Sequence, residues 1–385
     1  MSIRKLFSWW TFVVPCVAVV ALAASWGRQV GSVWLVILAI LLVGAVLAAV
    51  HHAEEIAHHV GEPFGSLLLA VAVTIIEVSL ILMLMLGGKG DTQTLARDSI
   101  FAVTMMTMNG IVGLCLLASA RRHHLARFNA EGAGSVLAAV ILLAGLTLIL
   151  PRFTQSEPGL AFTSTQLVFI GVISLVVYGL FVFTQTVRHR DVFLPPDPAK
   201  MNPDCECPTP QVMVQTSEED ECEDDEIEPL HKMTPRAMLL SIILLLVALV
   251  DVVGLAKMES PGIESLVGHF GFPPAVVGVI IALIILLPET IAALKAAQRG
   301  HTQTSLNLAY GSAMASIGLT IPVLAIASLW LPGVLLLGLD PVHIVLFAMS
   351  AVISILTIVR GRANVLQGGL HLTLFVVFLL LTILP

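Results

Sequence analysis

The sequence is poor in charge. Charged residues make up 12% of the 385 positions, whereas hydrophobic residues make up 57%. A soluble domain carries about 25% charged residues, because its surface must be covered by groups that interact with water. Apolar runs of about 18 residues or more, long enough to cross the hydrocarbon core of a bilayer, recur along most of the chain. The composition therefore excludes a soluble protein and predicts an all-α integral membrane protein.

The sequence also lacks a basic region and a set of paired cysteines. Its formal net charge is −7, and nine of its 26 acidic residues lie between Glu218 and Glu228. The other acidic residues nearly balance the 19 basic ones, so we expect no nucleic-acid partner. Of the five cysteines, two lie in apolar runs and three lie in or near the acidic run. Their number and spacing predict no disulfide framework.

Eleven apolar runs predict about eleven transmembrane helices. Their predicted bounds are 11–27, 32–50, 64–87, 98–120, 133–150, 166–187, 237–257, 273–297, 305–330, 341–359 and 364–384. One long polar interruption, 188–236, contains a proline-rich stretch followed by the acidic run. This composition is typical of a linker.

The linker divides the helices into two groups of five. We predict an extra N-terminal helix at 1–30, a first five-helix repeat at 31–187, an acidic linker at 188–236 and a second repeat at 237–385. Because five is odd, the second group enters the membrane in the inverted orientation, as in transporters that bind substrate near mid-membrane between two repeats. An alternative for the first run is a cleavable signal peptide, although its apolar region is long for that role.

The basic residues predict the orientation in the membrane. With the N-terminus in the cytoplasm, 14 of the 19 Lys and Arg residues fall on the cytoplasmic side, as the positive-inside rule requires. The acidic linker is then cytoplasmic as well. We therefore expect a multi-pass protein of a bacterial plasma (inner) membrane, with the lipid bilayer as its partner.

Two glutamates occupy matching positions in the two groups. Glu77 and Glu289 each lie in the second helix of their group, near the centre of an otherwise apolar run. A carboxylate there costs several kcal/mol unless it is paired, protonated or in contact with water. No basic residue lies near the middle of either run, since the nearest candidate, Lys257, is at a predicted helix end. Protons and cations are therefore the expected partners of both carboxyl groups.

We interpret the pair as one site shared by protons and a cation. Carboxylate oxygens are hard ligands that suit Ca2+ or Na+, and competition between protons and a cation for one site is how an antiporter works. The alternative is a pair of protonated structural glutamates, each bonded to a neighbouring helix. An intramembrane enzyme is not favoured, because the spans contain no HExxH motif and no convincing nucleophile.

Oxygen-bearing residues near the two glutamates are candidate secondary ligands. One is a backbone carbonyl that a proline four residues later leaves without its helical hydrogen bond, and the others are polar side chains in the spans. The candidates are Thr74, Asn109, Ile284, Ser312 and Ser316. Helix packing through small and hydroxyl-bearing residues is an equally good interpretation of the side chains.

The segments around both glutamates resemble a known superfamily. Residues 67–70 followed by Glu77, and Pro288-Glu289 followed by Gly311-Ser312, resemble the two alpha repeats of the cation/Ca2+ exchanger (CaCA) superfamily, at about 61–115 and 273–325. Segments 61–66 and 76–81, together with the central acidic run, are similar to the bacterial ChaA-type calcium/proton antiporters. The resemblance covers nearly the whole chain.

The resemblance implies alternating-access exchange of cytoplasmic Ca2+, in some members also Na+ or K+, for external protons. The repeat glutamates of the superfamily are its ion ligands, and they fall on Glu77 and Glu289. No cofactor is implied beyond the transported ions. The better-known branch has Gly-Asn-Ala-x-Glu in both repeats, whereas 73–77 and 285–289 differ, so its secondary ligands are not carried over. Alternatives are a sodium or potassium/proton antiporter with little calcium activity, or a cation channel of the same fold.

Three further features allow two interpretations each. His51, Glu55 and His58 share one helical face at i, i+4 and i+7, which suits a cytoplasmic metal or proton sensor or a solvated helix end. Asp251 lies deep in the seventh run, where it either lines a proton route or bonds to a neighbour. The acidic run either captures cations or is simply solvated, and it lacks the pattern of an EF-hand loop.

Overall fold

The structure is a computed structural model that describes residues 3–28, 31–60, 64–87, 93–157, 159–193, 235–330 and 334–385. Most of the predicted linker, with the acidic run, Cys205, Cys207 and Cys222, lies outside the described residues. Within them the chain is almost entirely helical.

The helices follow one another along the chain as the apolar runs predict. They are α1 (Ile3–Ser25), α2 (Ser32–Val60), α3 (Phe64–Gly87), α4 (Leu95–Met105), α5 (Val112–His123), α6 (Ala130–Ala144), α7 (Ser164–Phe183), α8 (Pro235–His269), α9 (Ala275–Gln298), α10 (Thr302–Ala327), α11 (Pro341–Ile358) and α12 (Val365–Ile383). Two short strands, β1 (Ala126–Arg127) and β2 (Arg362–Ala363), pair antiparallel and join the loops after α5 and α11.

Eleven helical bodies result within the described residues, because a π-helical turn at Met106–Ile111 joins α4 and α5 into one span. Ten of these bodies are long and apolar enough to cross a membrane, while the apolar part of the first, Trp9–Ser25, is shorter. This confirms the predicted all-α membrane architecture of about eleven helices.

Polar residues at the starts of several helices fix where those helices begin. The Thr163 hydroxyl accepts a hydrogen bond from the backbone N–H of Gln166. The side-chain carbonyl of Gln166 in return accepts one from the backbone N–H of Thr163. Asn364 and Gln367 form the same capping box at the start of α12. Each box satisfies N–H groups that the first helical turn leaves unpaired.

Two helices extend well past their predicted ends. The second continues through the histidine-rich segment to Val60, and α8 continues from the predicted end at residue 257 to His269. The polar residues from 257 onwards resemble a helix end in the sequence. In the structure, however, Lys257 and Glu259 pack against other helices or are buried. The Lys257 ammonium lies 5.2 Å from the centre of the Trp26 ring, and Glu259 is buried. Asp251 and Glu259 therefore lie within one helix.

The buried apolar residues form two separate cores. One core draws on α1, α2 and α8, and the other on α4 to α7 and α10 to α12. Helices α3 and α9 contribute to both: Ile76 and Ile285 belong to the first core, and Ile81 and Leu286 to the second. We call α1, α2 and α8 the α1–α2–α8 unit. The helices that carry Glu77 and Glu289 therefore lie at the boundary between this unit and the rest of the protein.

Candidate cation and proton site

Both predicted glutamates line one cavity of about 360 Å³ between α3, α7, α9 and α10. Most of the lining is apolar, and its polar members are few. They are Thr74, Glu77, Gln185, Glu289, Thr304, Asn307, Ser312 and Ser316, together with the hydroxyl of Tyr178. The fold therefore brings together two carboxyl groups that are 212 positions apart in the sequence.

The Glu77 carboxyl is held by a residue of another helix. Its side chain is buried on α3, with 2% of its surface exposed. The Ser316 hydroxyl on α10 donates a hydrogen bond of 2.5 Å to Glu77 Oε1. A hydroxyl keeps oxygen lone pairs after it donates, so Ser316 can also serve as a ligand of a cation at Glu77.

The Glu289 carboxyl has a different environment. The residue is half-buried on α9, directly after Pro288, and its Oε2 is shielded from solvent with no hydrogen-bond partner among the described residues. Glu54, on α2, adds negative potential at Glu289, as does Glu77. In the described part of the chain, neither Glu77 nor Glu289 forms an ion pair with a basic side chain.

Two glycines of α10, Gly311 and Gly318, differ in the space beside them. A Cβ added at Gly311 would meet nothing within 4 Å, whereas one at Gly318 would lie 2.9 Å from Cβ of Tyr178 on α7. Gly171 on α7 likewise approaches the backbone of Pro322. Gly318 therefore permits close packing of α7 and α10, while Gly311 leaves space beside the carboxyl pair.

Three of the candidate secondary ligands reach the cavity. Thr74, Ser312 and Ser316 line it. The Thr74 hydroxyl donates a hydrogen bond of 2.8 Å to the carbonyl of Ala70. Its oxygen can still accept or ligate. Ile284 is not among the lining residues and packs against the core of the α1–α2–α8 unit. Whether the three lining residues bind an ion stays a prediction.

Asn109 lies away from the glutamates, in a buried polar cluster with α11 and α12. Its amide nitrogen donates a hydrogen bond of 2.9 Å to the hydroxyl of Ser350. Its Oδ1 lies 3.3 Å from Nδ1 of His371. The other ring nitrogen of His371 lies 3.2 Å from the Thr357 hydroxyl. Asn109 is in the π-helical turn, so this cluster fixes that turn against two other helices. Sequence reasoning missed His371, because a single histidine in an apolar run gives no signal of its partners.

The histidine-rich segment forms a polar junction of three helices. Glu55 lies 3.4 Å from His51 and 3.2 Å from His52, and it accepts a hydrogen bond of 2.9 Å from Ser241 of α8. The far nitrogen of His52 lies 3.2 Å from the carbonyl of Thr11 on α1. The junction thus includes His52 and Ser241, which the spacing argument did not identify. The predicted third member, His58, has a side chain outside the described set.

Asp251 and Glu259 are buried on α8 and do not line the cavity. Asp251 is fully buried, Glu259 is 4% exposed, and three of their four carboxyl oxygens are shielded with no hydrogen-bond partner in the described residues. The structure therefore provides no neighbour that bonds to Asp251. Glu259 was not singled out from the sequence, because the predicted helix ended before it.

Oxygen atoms other than carboxylates would have to complete any cation site at the glutamate pair. The described residues include no group of three or more His, Cys, Asp or Glu side chains that could hold a metal ion. Hydroxyl groups such as that of Ser316 lie beside the carboxyls instead. Such a sparse ligand set suits an ion that is bound and released, rather than one that is permanently held.

A helical membrane bundle in which two carboxyl groups face one cavity, without a basic partner among the described residues, fits an ion transporter. The chain belongs to the sodium/calcium exchanger protein family, whose model matches residues 30–187 and 240–384. It is therefore a member of a cation exchanger family with a multi-pass membrane fold.

Relatives and solved structures agree with this membership. The putative ionic transporter y4hA of Sinorhizobium fredii is 42% identical over 98% of this chain and 96% of the relative. The sodium-potassium/proton antiporter ChaA of Escherichia coli is 32% identical over 96% of this chain and 95% of the relative. The solved structure of the H+/Ca2+ exchanger CAX has the same fold, with a TM-score of 0.68 at 14% identity, covering 98% of this chain and 88% of that one.

Proposed function

We propose that the chain is a secondary antiporter of a bacterial inner membrane that exchanges cytoplasmic Ca2+ for external protons at Glu77 and Glu289. One observation carries the proposal: both carboxyl groups line the same cavity, and neither has a basic partner among the described residues. A carboxylate within a membrane needs a proton or a cation to remain there at low cost. A cation that binds the pair therefore displaces protons from it.

Charge balance favours a divalent cation. Two protons neutralise the pair, and one Ca2+ also neutralises it, so exchange of the two species leaves no net charge in either loaded state. The empty pair carries two charges and is costly to enclose. The protein therefore changes its access mainly when it is loaded, and the two ion fluxes are coupled.

The two hydrophobic cores support an alternating-access mechanism. The carboxyl pair lies on α3 and α9, at the boundary between the α1–α2–α8 unit and the remaining helices. Rocking of this unit against the rest would open the site to one side and then to the other. The cavity extends to Gln185 and Thr304, at the helix ends that the positive-inside rule places in the cytoplasm. In this proposal the cavity opens towards the cytoplasm.

A second candidate function is exchange of Na+ or K+ for protons. The Escherichia coli relative, at 32% identity, is named a sodium-potassium/proton antiporter. A monovalent cation at the pair would displace one proton and leave the second in place, which also keeps the pair neutral. The ligand set with only two acidic groups is compatible with such an ion.

A proton-flux assay on purified protein in liposomes tests both candidates. A pH-sensitive dye inside the vesicles is followed while Ca2+, Na+, K+ and Mg2+ are added in turn. We expect Ca2+ to move protons in the opposite direction, and to do so against its own gradient when a pH difference is imposed. A response to Na+ or K+ alone would favour the second candidate, and cation movement without proton movement would indicate a channel.

Matched variants assign the site. Glu77→Gln and Glu289→Gln should each abolish the cation-driven proton flux, while Asp191→Asn, which alters an exposed carboxyl outside the cavity, should retain it. Circular dichroism and the elution volume in detergent check that each variant is folded. Retained exchange in either glutamine variant would contradict the assignment of that residue.

A further inference from the structure

Asp251 is a buried acid that the glutamate pair does not explain. Its side chain is 0% exposed, and both carboxyl oxygens are without a hydrogen-bond partner in the described residues. A carboxyl with a purely structural function would be expected to bond to a neighbour, because buried polar atoms that are left unpaired destabilise the folded protein. The lack of partners indicates that the group serves a purpose other than helix packing.

The position of Asp251 can be derived from the helix geometry. Each residue advances about 100° around an α-helix, which places Asp251 between Gly254 and Ser241 on the surface of α8. Gly254 lies directly against Leu22 of α1, and Ser241 donates a hydrogen bond to Glu55 of α2. Asp251 therefore faces the interior of the α1–α2–α8 unit. It lies on a different side of α3 and α9 from the cavity, whose lining includes no residue of α8.

Among the described residues, no charged group is paired with Asp251. The ionisable groups with described side chains on the helices that pack against α8 are Cys16 on α1, His51, His52, Glu54, Glu55 and His59 on α2, Glu77 on α3, and Glu289 and Lys295 on α9. On α8 itself they are Arg236, Lys257, Glu259 and His269. Within the described residues, none of them forms an ion pair or hydrogen bond with Asp251. Burial without a partner favours the neutral form of a carboxyl group.

A second acid on the same helix extends this arrangement. Glu259 lies eight residues after Asp251, about 12 Å further along α8, with Oε1 shielded and unpartnered in the described part of the chain. Its Oε2 faces Gly262, and Gly262 packs on Leu35 of α2. The polar junction around Glu55 lies at the opposite end of the same α2–α8 interface. Ionisable groups thus occur at both ends and in the middle of this interface.

We propose that Asp251 is a second proton-binding site of the exchanger, separate from the glutamate pair and located inside the α1–α2–α8 unit. The proposal rests on the proposed antiport function. Asp251 takes up a proton that enters from the external side while the three helices are packed around it, and it releases that proton to the cytoplasmic side when the unit moves during exchange. Each transport cycle then moves one proton more than the glutamate pair alone accounts for.

Infrared difference spectroscopy tests this proposal directly. Wild-type protein labelled with 13C-aspartate is measured in liposomes before and after Ca2+ is added. We expect a protonated carboxyl band that shifts with the label and loses intensity when Ca2+ is added. The band should persist in Glu77→Gln and be absent in Asp251→Asn. A missing aspartate band, or one that never responds to the cation or to pH, overturns the proposal.

Transport stoichiometry provides the second measurement. The Ca2+ gradient that just balances a given pH difference gives the number of protons per cation. We expect this number to fall by about one in Asp251→Asn, while Ca2+ binding by calorimetry stays within about twofold of wild type, and Asp191→Asn should change neither. An unchanged ratio in a folded Asp251→Asn protein contradicts the proposal. If that variant does not fold, the labelled wild-type spectrum still decides.

Failure of the antiport function itself is distinguishable. If wild-type protein moves no protons with any cation, the proposed function is wrong, whereas the aspartate band and its response to pH still report whether Asp251 binds a proton.

Discussion

Ser316 on α10 donates its hydroxyl to Oε1 of Glu77 on α3, at 2.5 Å. The two residues are 239 positions apart and belong to different halves of the chain. A serine in one half therefore orients the carboxyl of the other half within the cavity that also contains Glu289.

Removal of the serine hydroxyl should weaken cation binding. A hydrogen bond to a charged group contributes about 1.5–3 kcal/mol, so Ser316→Ala should raise the apparent Ca2+ dissociation constant by about tenfold or more. Calorimetric titration of the detergent-solubilised protein measures the change. Ser328→Ala, directly after the end of α10, removes a hydroxyl that donates to the carbonyl of Ala325; it is the control and should bind as wild type does. Equal affinity in the Ser316 variant would show that the bond has no bearing on the ion.

We expect protons and the cation to compete for the carboxyl pair in binding measurements. Because a cation binds only to carboxylates that have lost their protons, apparent affinity should fall as pH falls. By linkage, the glutamate pair contributes about two to the slope of log affinity against pH if a divalent ion displaces two protons, and about one for a monovalent ion. Release of the proposed Asp251 proton adds up to about one to the wild-type slope. Binding measured over a range of pH with Ca2+ and with Na+ gives both slopes. An affinity independent of pH would exclude a shared site.

The contact of Gly318 with Tyr178 should limit substitution. A Cβ at Gly318 would lie 2.9 Å from the Cβ of Tyr178, which cannot move without its backbone. We expect Gly318→Ala to destabilise the protein by about 1–3 kcal/mol through overpacking, measured as a lower thermal midpoint in detergent. Gly179→Ala, beside Tyr178 on α7 with nothing within 4 Å of its added Cβ, is the matched control and should be neutral or slightly stabilising. Equal midpoints in both variants would show that α7 and α10 can separate at little cost.

The buried cluster around Asn109 should behave as one coupled unit. Asn109→Ala leaves Nδ1 of His371 without its partner inside the protein, which costs about 1–3 kcal/mol. Loss of both partners should cost less than the sum of the single losses, so a double-mutant cycle with His371→Leu should give a coupling energy of about 0.5 kcal/mol or more. Thr373→Ala removes an exposed hydroxyl of the same helix and should change the midpoint little. Additive losses in the cycle would show that the two side chains act independently.

Much of the candidate site could be predicted from the sequence, because a charged residue is easy to recognise within an apolar membrane span. Glu77 and Glu289 were identifiable as acids in apolar runs without a basic neighbour, and the structure places both on one cavity. Ser312, Ser316 and Thr74 also line it, but Asn109 does not. The sequence of one helix does not show which of its faces contacts a helix that is distant in the chain. The contacts of Asn109 could therefore not be derived from its spacing.

The acids of α8 show a second limit. Hydropathy ends that helix at residue 257, because Lys257 and Glu259 appear too polar to remain in it. In the structure Lys257 lies over the ring of Trp26 and Glu259 is buried. These compensations come from other helices, so no local pattern reveals them.

The sequence by itself determined the membrane class, the number and order of helices and the identity of the two central glutamates. These depend on composition and on the cost of charge in hydrocarbon, both of which are local properties. Only the tertiary structure decided that the glutamates share a cavity, that Ser316 holds one of them and that Asp251 lies apart in the α1–α2–α8 unit. Those relationships depend on which helices meet and which faces they turn to each other, and packing over the whole chain sets both.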